Sequence, residues 1–331
     1  MTTVTLIPGD GIGPEVTGAT CEVLKAAGAP IEWEVQLAGR AALDQLGTTV
    51  PDGLIASIRK NRVALKGPLE TPKGAGYRSV NVTLRQELAL YTGLRPVRSM
   101  PGVSTPYRDV DLVVLRENTE DLYAGIEHEI MPGHVISLKV STRAAGLRIA
   151  KWAFEHMRYT GRRKITCCHK ADVSPLADGA FLDAFHEVGA EYPFIQQESM
   201  PIDNLSMELA IDPTRFDVLL LQNLYGDIIS DLCAGLVGGL GVVPGANIGD
   251  KGAIFEAVHG TAPDIQGKGL ANPLAVLMSA VMMLEYMGEK RVAQRVEAAI
   301  QRTLTEAKHL TRDLGGKAGT AEFTAALIDN L

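Results

Sequence analysis

Short apolar runs alternate with helical patterns along this 331-residue chain, and that alternation limits the fold more than any other feature. Val4 to Ile7, Val63 to Leu65, Val110 to Leu115, Ile165 to Cys168 and Val218 to Leu221 each read as a buried strand. Strands of this kind need cover on both faces, so an α/β fold is expected, with helices on either side of the sheet. Pro14 stands where a first helical turn tolerates it, and Val16, Val23 and Leu24 give the next helix an apolar stripe. The length supports about two domains. There is no repeat or low-complexity tract; Gly235 to Gly249 is the most loop-like stretch, with apolar spacers that predict packing rather than disorder.

A net charge of -7 with 5% aromatics argues against a nucleic-acid partner, because neutralising phosphates takes an excess of Lys and Arg on one face. The longest mostly apolar run, Leu274 to Leu284, ends at Glu285 and is shorter than the roughly 20 residues of a membrane span, so no membrane partner is expected. The opening MTTVTLIPGDG runs straight into a strand-like segment without a leader pattern, which predicts a cytoplasmic protein. Cys21, Cys167, Cys168 and Cys233 show neither a CxxC pair nor zinc spacing and read as reduced core residues.

Six segments carry candidate chemistry. GDGIGPEV, residues 9 to 16, reads either as a phosphate loop or as a tight turn, since its spacing is not G-x-G-x-x-G. In RSVNVTLRQELALYTGLRPVR, Ser79 and Asn81 precede a helical pattern through Leu84, Leu88 and Tyr91, where hydroxyl, amide and backbone N–H groups can face an anion. Arg85, Arg95 and Arg116 could converge on a polyanionic acid, because a guanidinium fork matches a carboxylate; surface ion pairing is the alternative for each. Lys170 follows a short strand; a lysine lodged near other cations can have its pKa lowered enough to serve as a base, and simple solvation is the alternative. Asp203 opens a helical pattern, where an N-cap role alone would explain it. Around His259, small residues and prolines shape a loop; Asp264 there could accept both hydroxyls of an adenosine ribose, or simply hold a turn. Asp227 and Asp231, at i and i+4 in NLYGDIISD, share a helix face and can share a hard cation such as Mg²⁺ or Mn²⁺.

IPGDGIGPEV, GPLETP, RSVNVTLRQELALY, LRPVR, RENTEDLYAGIE, HKA, NLYGDIISDLCAGLVGGLG and FEAVHGTAPDIQGKGLANP occur in one order over essentially the whole chain. Together they resemble the metal-dependent β-decarboxylating dehydrogenases, which comprise isocitrate, isopropylmalate, homoisocitrate and tartrate dehydrogenases. The resemblance implies an isopropylmalate-dehydrogenase-like fold of two α/β domains around a cleft, distinct from the GxGxxG dinucleotide fold. Residues 1–98 with 236–331 would form the large domain, and 99–235 a small domain carrying the subunit interface. It also implies a homodimer with shared active sites, in which Lys170 and Asp203 reach the neighbour's cleft.

Ser79 and Asn81 ahead of Arg85 are similar to the isocitrate branch, so isocitrate is the expected substrate; homoisocitrate and tartrate are the alternatives, and a non-catalytic regulatory subunit is the rival of another class. By resemblance Arg85, Arg95 and Arg116 clamp carboxylates, and Asp227, Asp231 and the neighbour's Asp203 hold Mg²⁺ or Mn²⁺. Lys170 would take the hydroxyl proton, directly or through Asp203, and Tyr123 would help to protonate the enolate. Leu69, Glu70 and Thr71 match the family's nicotinamide-side loop; His259, Gly260, Thr261, Ala262, Asp264 and Ile265, with Asn272, match its adenosine side. NAD is the expected cofactor, because members that use NADP carry lysine and tyrosine where this chain has Asp264 and Ile265. Asp172 departs from the family, which usually has asparagine there.

Overall fold

All five apolar runs are strands. The computed structural model describes residues 1–71 and 79–331, so Pro72 and Arg78, which end one motif and begin another, lie outside the described residues. The strands are β1 (Thr2–Ile7), β2 (Ile31–Val35), β3 (Val63–Lys66), β4 (Thr92–Arg98), β5 (Asp111–Glu117) and β6 (Glu127–Met131), followed by β7 (His134–Ser137), β8 (Lys164–His169), β9 (Gln196–Pro201), β10 (Val218–Leu221), β11 (Pro244–Gly249) and β12 (Gly252–Ala257). Ten of them make one sheet in the order β2-β1-β3-β12-β11-β4-β5-β10-β8-β9, and β6 with β7 form a separate ribbon.

The sheet is parallel at its wings and antiparallel in the middle. β2, β1, β3 and β12 run parallel on one side, and β5, β10, β8 and β9 on the other. Antiparallel β12, β11, β4 and β5 join the wings. The step from β4 to β5 is also the step from residues 1–98 to residues 99–235. Charged side chains therefore collect at this seam: Arg95 lies on β4, Arg116 near the end of β5 and Glu256 near the end of β12.

Three expectations need correcting. The glycine-rich stretch is not a loop throughout, since Pro244–Gly249 is a fully buried central strand. Its small residues are what admit it: a Cβ on Gly249 would lie 2.3 Å from the Ala89 carbonyl oxygen. The helix after Ser79 spans Val80–Glu87 and stops before Tyr91, because Ala89 turns the chain with φ 51°. Asp203 is not an N-cap; Pro201 caps the Ile202–Ile211 helix and Asp203 sits in its first turn, where a negative charge still favours the helix dipole.

The apolar Leu274–Tyr286 helix lies in the main core, buried nearly all round, as its uniform hydrophobicity requires. No helix among the described residues is long and apolar enough to cross a membrane. Cys167, Cys168 and Cys233 are buried free thiols, and Cys21 is half-buried.

Candidate active site

The GDGIG segment is a structural knot. Gly9 and Gly11 adopt φ of 88° and 61°, and a Cβ on Gly11 would lie 2.1 Å from the Thr261 carbonyl oxygen. The Asp10 carboxylate accepts the N–H groups of Arg40 and Ala41 at 3.0 Å and of Glu70 at 2.8 Å. Asp10 thus ties the Gly39–Leu46 helix to the loop bearing Leu69, Glu70 and Thr71, and the positive φ and close backbone approach of Gly9 and Gly11 favour the tight-turn reading. Thr71 takes the Val80 N–H at 3.3 Å, linking this loop to the next helix.

A cleft of about 260 Å³ opens over the sheet seam. Its lining includes Ser79, Asn81, Arg85, Arg95, Arg116, Tyr123 and Asp227, with Leu69, His259 and Gly260 at one end. The three arginines are buried, Arg116 being 1% exposed. Burial and repulsion from Arg85 and Arg95 push Arg116 down to about 10, and burial followed by Arg85 lowers Arg95. Three crowded, desolvated guanidinium groups call for anions. Those the chain itself supplies include Asp227, paired with Arg116, Asp231, 3.8 Å from Arg95, and Glu256, 3.6 Å from Arg85.

Gly226 is required here, since a Cβ on it would meet Arg116 Cγ at 2.6 Å. Asn223 completes the seat by accepting Arg116 Nε–H at 2.9 Å. Asp227 also takes a hydrogen bond from the Tyr123 hydroxyl. Burial alone would raise the Asp227 carboxyl, but Arg116, Tyr123 and Arg95 hold it below the usual range. Asp231 goes the other way, raised by partial desolvation and by Asp227 against the pull of Arg95.

Lys170 and Asp203 do not line this cleft. They pair with each other at 2.8 Å, and Asp172 sits 3.2 Å from the same ammonium. Lys170 is therefore held above its ordinary pKa, chiefly by Asp203, which corrects the expectation of a lysine depressed by neighbouring cations. Among the described residues no three acidic, His or Cys side chains of one chain gather as a metal site. Asp227 in the cleft lining and Asp231 one turn on, beside Arg95, supply hard oxygen donors, which fits a divalent cation.

A second cavity, about 350 Å³, adjoins the first through His259 and Gly260. Ile12, Ala262, Ile265, Asn272, Arg312 and Asp313 are in its wall. Thr261 is in neither lining, and its carbonyl accepts the Ile12 N–H at 2.9 Å. Asp264 is exposed and falls outside the lining, although Ala262 and Ile265 on either side belong to it. Burial lowers the His259 pKa, and among the described residues its buried Nε2 finds no partner, nor do Asn81 Oδ1 and Arg85 Nε. Orphaned polar atoms along two joined cavities are what a dinucleotide and an acid would satisfy.

The isocitrate/isopropylmalate dehydrogenase family profile matches residues 3–328. This chain belongs to that family. It is 50% identical to the Arabidopsis thaliana protein named isocitrate dehydrogenase [NAD] catalytic subunit 5, mitochondrial, over 99% of this chain and 88% of the relative. It is 50% identical to the human alpha subunit of NAD isocitrate dehydrogenase, also named as mitochondrial, over 97% and 88% respectively. A Dictyostelium discoideum relative, named as a regulatory subunit of the mitochondrial NAD enzyme, is 48% identical over 99% and 91%. The crystal structure of isocitrate dehydrogenase from Methylococcus capsulatus superposes with a TM-score of 0.96 at 48% identity, covering 100% of this chain and 99% of that one.

Sequence reading of this family member missed a buried polar chain beneath the arginines. Glu256 pairs with Lys66 and lies 3.6 Å from Arg85. Asn247 donates to Glu256, and Asn118 donates to Asn247 at 2.8 Å. Burial opposes ionisation of Glu256, yet Lys66 and Arg85 hold it at about 2. The signal was present: VALK and IFE each end an apolar strand with a charge, and a charge there must find a partner or a site. Asp313, which accepts from Asn272 at 2.8 Å, carried no such signal.

Proposed function

We propose that this chain is an NAD-dependent isocitrate dehydrogenase that oxidises isocitrate and releases CO₂ to give 2-oxoglutarate. The convergence of Arg85, Arg95 and Arg116 with Asp227 in one cleft carries the reading, because it suits an acid with several carboxylates. Ser79, which caps the Val80–Glu87 helix, and Asn81, whose Oδ1 finds no partner among the described residues, stand ready for the third carboxylate. The names of the catalytic relatives support both the substrate and NAD.

We infer that Asp227, Asp231 and the partner's Asp203 hold Mg²⁺ or Mn²⁺. When bound, the cation supplies Lewis-acid stabilisation of negative oxygen, and NAD accepts the hydride. The arginines bind and orient the carboxylates, and their positive field favours the substrate over water. The partner's Lys170 accepts the hydroxyl proton, directly or through Asp203. Such a lysine must be neutral to act, so its bond to Asp203 has to be relieved when the site assembles. Tyr123 has its phenol raised by burial and by Asp227, which keeps the proton available for the carbon left when CO₂ departs. Leu69, Glu70 and Thr71 would border the nicotinamide, and His259 to Ile265 with Asn272 the adenosine; Asp264 at the rim would repel a 2′-phosphate.

The shared site implies two domains, 1–98 with 236–331 and 99–235, and a homodimer formed through the second. Exposed apolar groups support that surface: Val135 on the β6–β7 ribbon is 62% exposed, and Ile228 on the Asn223–Leu236 helix is 59% exposed. A regulatory role is kept as the second reading by the Dictyostelium relative's name. The deciding experiment follows NADH formation by the purified chain with Mg²⁺ or Mn²⁺ on isocitrate, homoisocitrate, isopropylmalate and tartrate, each also with NADP. Turnover chiefly on isocitrate with NAD is expected. A different preferred acid would overturn the substrate, and inactivity on every acid would favour the regulatory reading.

A further inference from the structure

Behind the site lies a buried ion pair that the proposed reaction does not use. Asp178, in the first turn of the Ala177–Gly189 helix, has no exposed surface. One carboxylate oxygen accepts the backbone N–H of Lys170 at 2.7 Å, and the other pairs with the Lys139 ammonium. Lys139 donates in turn to Gln222 Oε1 at 2.8 Å, stands 3.9 Å from Asp121 and lies 4.5 Å from the centre of the Tyr225 ring.

Each of these contacts leads to a functional segment. Gln222 caps the helix bearing Asp227 and Asp231. Asp121 accepts the Leu224 N–H of that helix at 2.8 Å and begins the turn that carries Tyr123. Its backbone, φ 73° and ψ -151°, is one that a residue with a side chain keeps only where its surroundings enforce it. At the tip of the loop after β8, by contrast, Val173 and Leu176 are exposed. A carboxylate removed from water is costly unless fully partnered, so replacing it with an apolar group would be the cheaper way to fill this space. What the pair provides instead is a fixed position for the Lys170 backbone just beyond the end of β8.

We propose that Asp178 is a positioning residue for Lys170 and that, through Lys170, it serves the partner's active site rather than its own. The second half rests on the shared-site reading above. Asp178→Asn keeps an acceptor but loses the charge that holds Lys139. It is expected to lower kcat on the order of tenfold to a hundredfold, the scale of a misplaced reacting group, and to leave KM for isocitrate within about twofold. No ionic partner of Arg85, Arg95 or Arg116 is altered by it. Lys139→Gln, which leaves Asp178 its bond to Lys170, should show the same split more weakly. A loss of activity matching the loss of folded protein, or a rise in KM without a fall in kcat, would overturn the proposal.

Direction is tested with mixed dimers, purified through two different tags. Pairing an Asp178→Asn protomer with an Asp227→Asn protomer leaves one site with both an intact Asp227 and a correctly placed Lys170, so activity should exceed that of either parent. The control pairs Lys170→Met with Asp227→Asn. Recovery in the control but not in the test pair refutes a role across the interface. No recovery in the control refutes the shared site itself, and the proposal with it.

Discussion

The arginine cleft and the Lys170–Asp203 pair are built on opposite principles. Arg116, 1% exposed, is seated by Asn223, Asp227 and the space that Gly226 leaves, so its geometry is set before any ligand arrives. The Lys170 and Asp203 side chains are 26% and 60% exposed and neutralise each other at 2.8 Å. On the proposed function, one half of the chemistry is stored inside the chain, where charges are expensive and preorganised. The other is carried outward on a loop and a helix turn, where an ion pair contributes little to stability and can exchange partners.

That contrast can be broken by mutation. Lys170→Met should reduce kcat by on the order of 10³-fold, as removal of a general base does, with almost no change in unfolding free energy; comparable losses of both would show the pair to be structural. Arg116→Met should abolish isocitrate binding and also destabilise the fold by roughly 3 kcal/mol, because it strands a partly buried carboxylate. Urea unfolding beside turnover assays separates the two variants.

At the cofactor end a smaller change is expected. Joint Asp264→Lys and Ile265→Tyr should move the kcat/KM ratio toward NADP by about tenfold to a hundredfold; no movement would mean that the exposed Asp264 does not reach the ribose. Beneath the arginines, Glu256 has its pKa held at about 2, below the ordinary carboxylate value. The stability it contributes is fully present above the ordinary value and is lost as pH falls toward 2. Glu256→Gln should accordingly lower stability near neutrality and flatten the acid limb of an unfolding-versus-pH curve. An unaltered limb would show that Lys66 and Arg85 do not stabilise its charge.

The smallest effect is set by His156, whose pKa burial depresses to about 4. Its neutral form is the one the fold accepts, so stability should decline as pH drops from about 6.5 to 4, where the unfolded chain binds the proton first. His156→Phe, which keeps the stacking on Trp152, should remove that part of the decline.

Strands were legible where burial on both faces left an uninterrupted apolar run, as in β5 and β10. β9 and β11 were not: QQESMP at a sheet edge and PGANIG at its centre carry neither alternation nor bulk. β11 is a strand because β12 and β4 offer hydrogen-bond partners on both sides, which no local pattern records. The site divided in the same way. That Asp227 and Asp231 lie one turn apart on a single helix could be read from spacing alone, whereas the role of GDGIG could not, because its Asp10 finds N–H partners at residues 40, 41 and 70, far along the chain.

By itself, the order of residues determined the α/β class, the identity of the charged groups and which of them share a helix face, because these follow from local periodicity and side-chain chemistry. Only the tertiary structure decided which charges meet. It put Arg85 and Glu256 within 3.6 Å across 171 positions of chain, left Lys170 with Asp203 and Asp172, and withdrew Asp178 from water to hold Lys170 in place. Such pairings depend on how distant strands stack at the sheet seam, and on the high cost of leaving a buried charge without a partner.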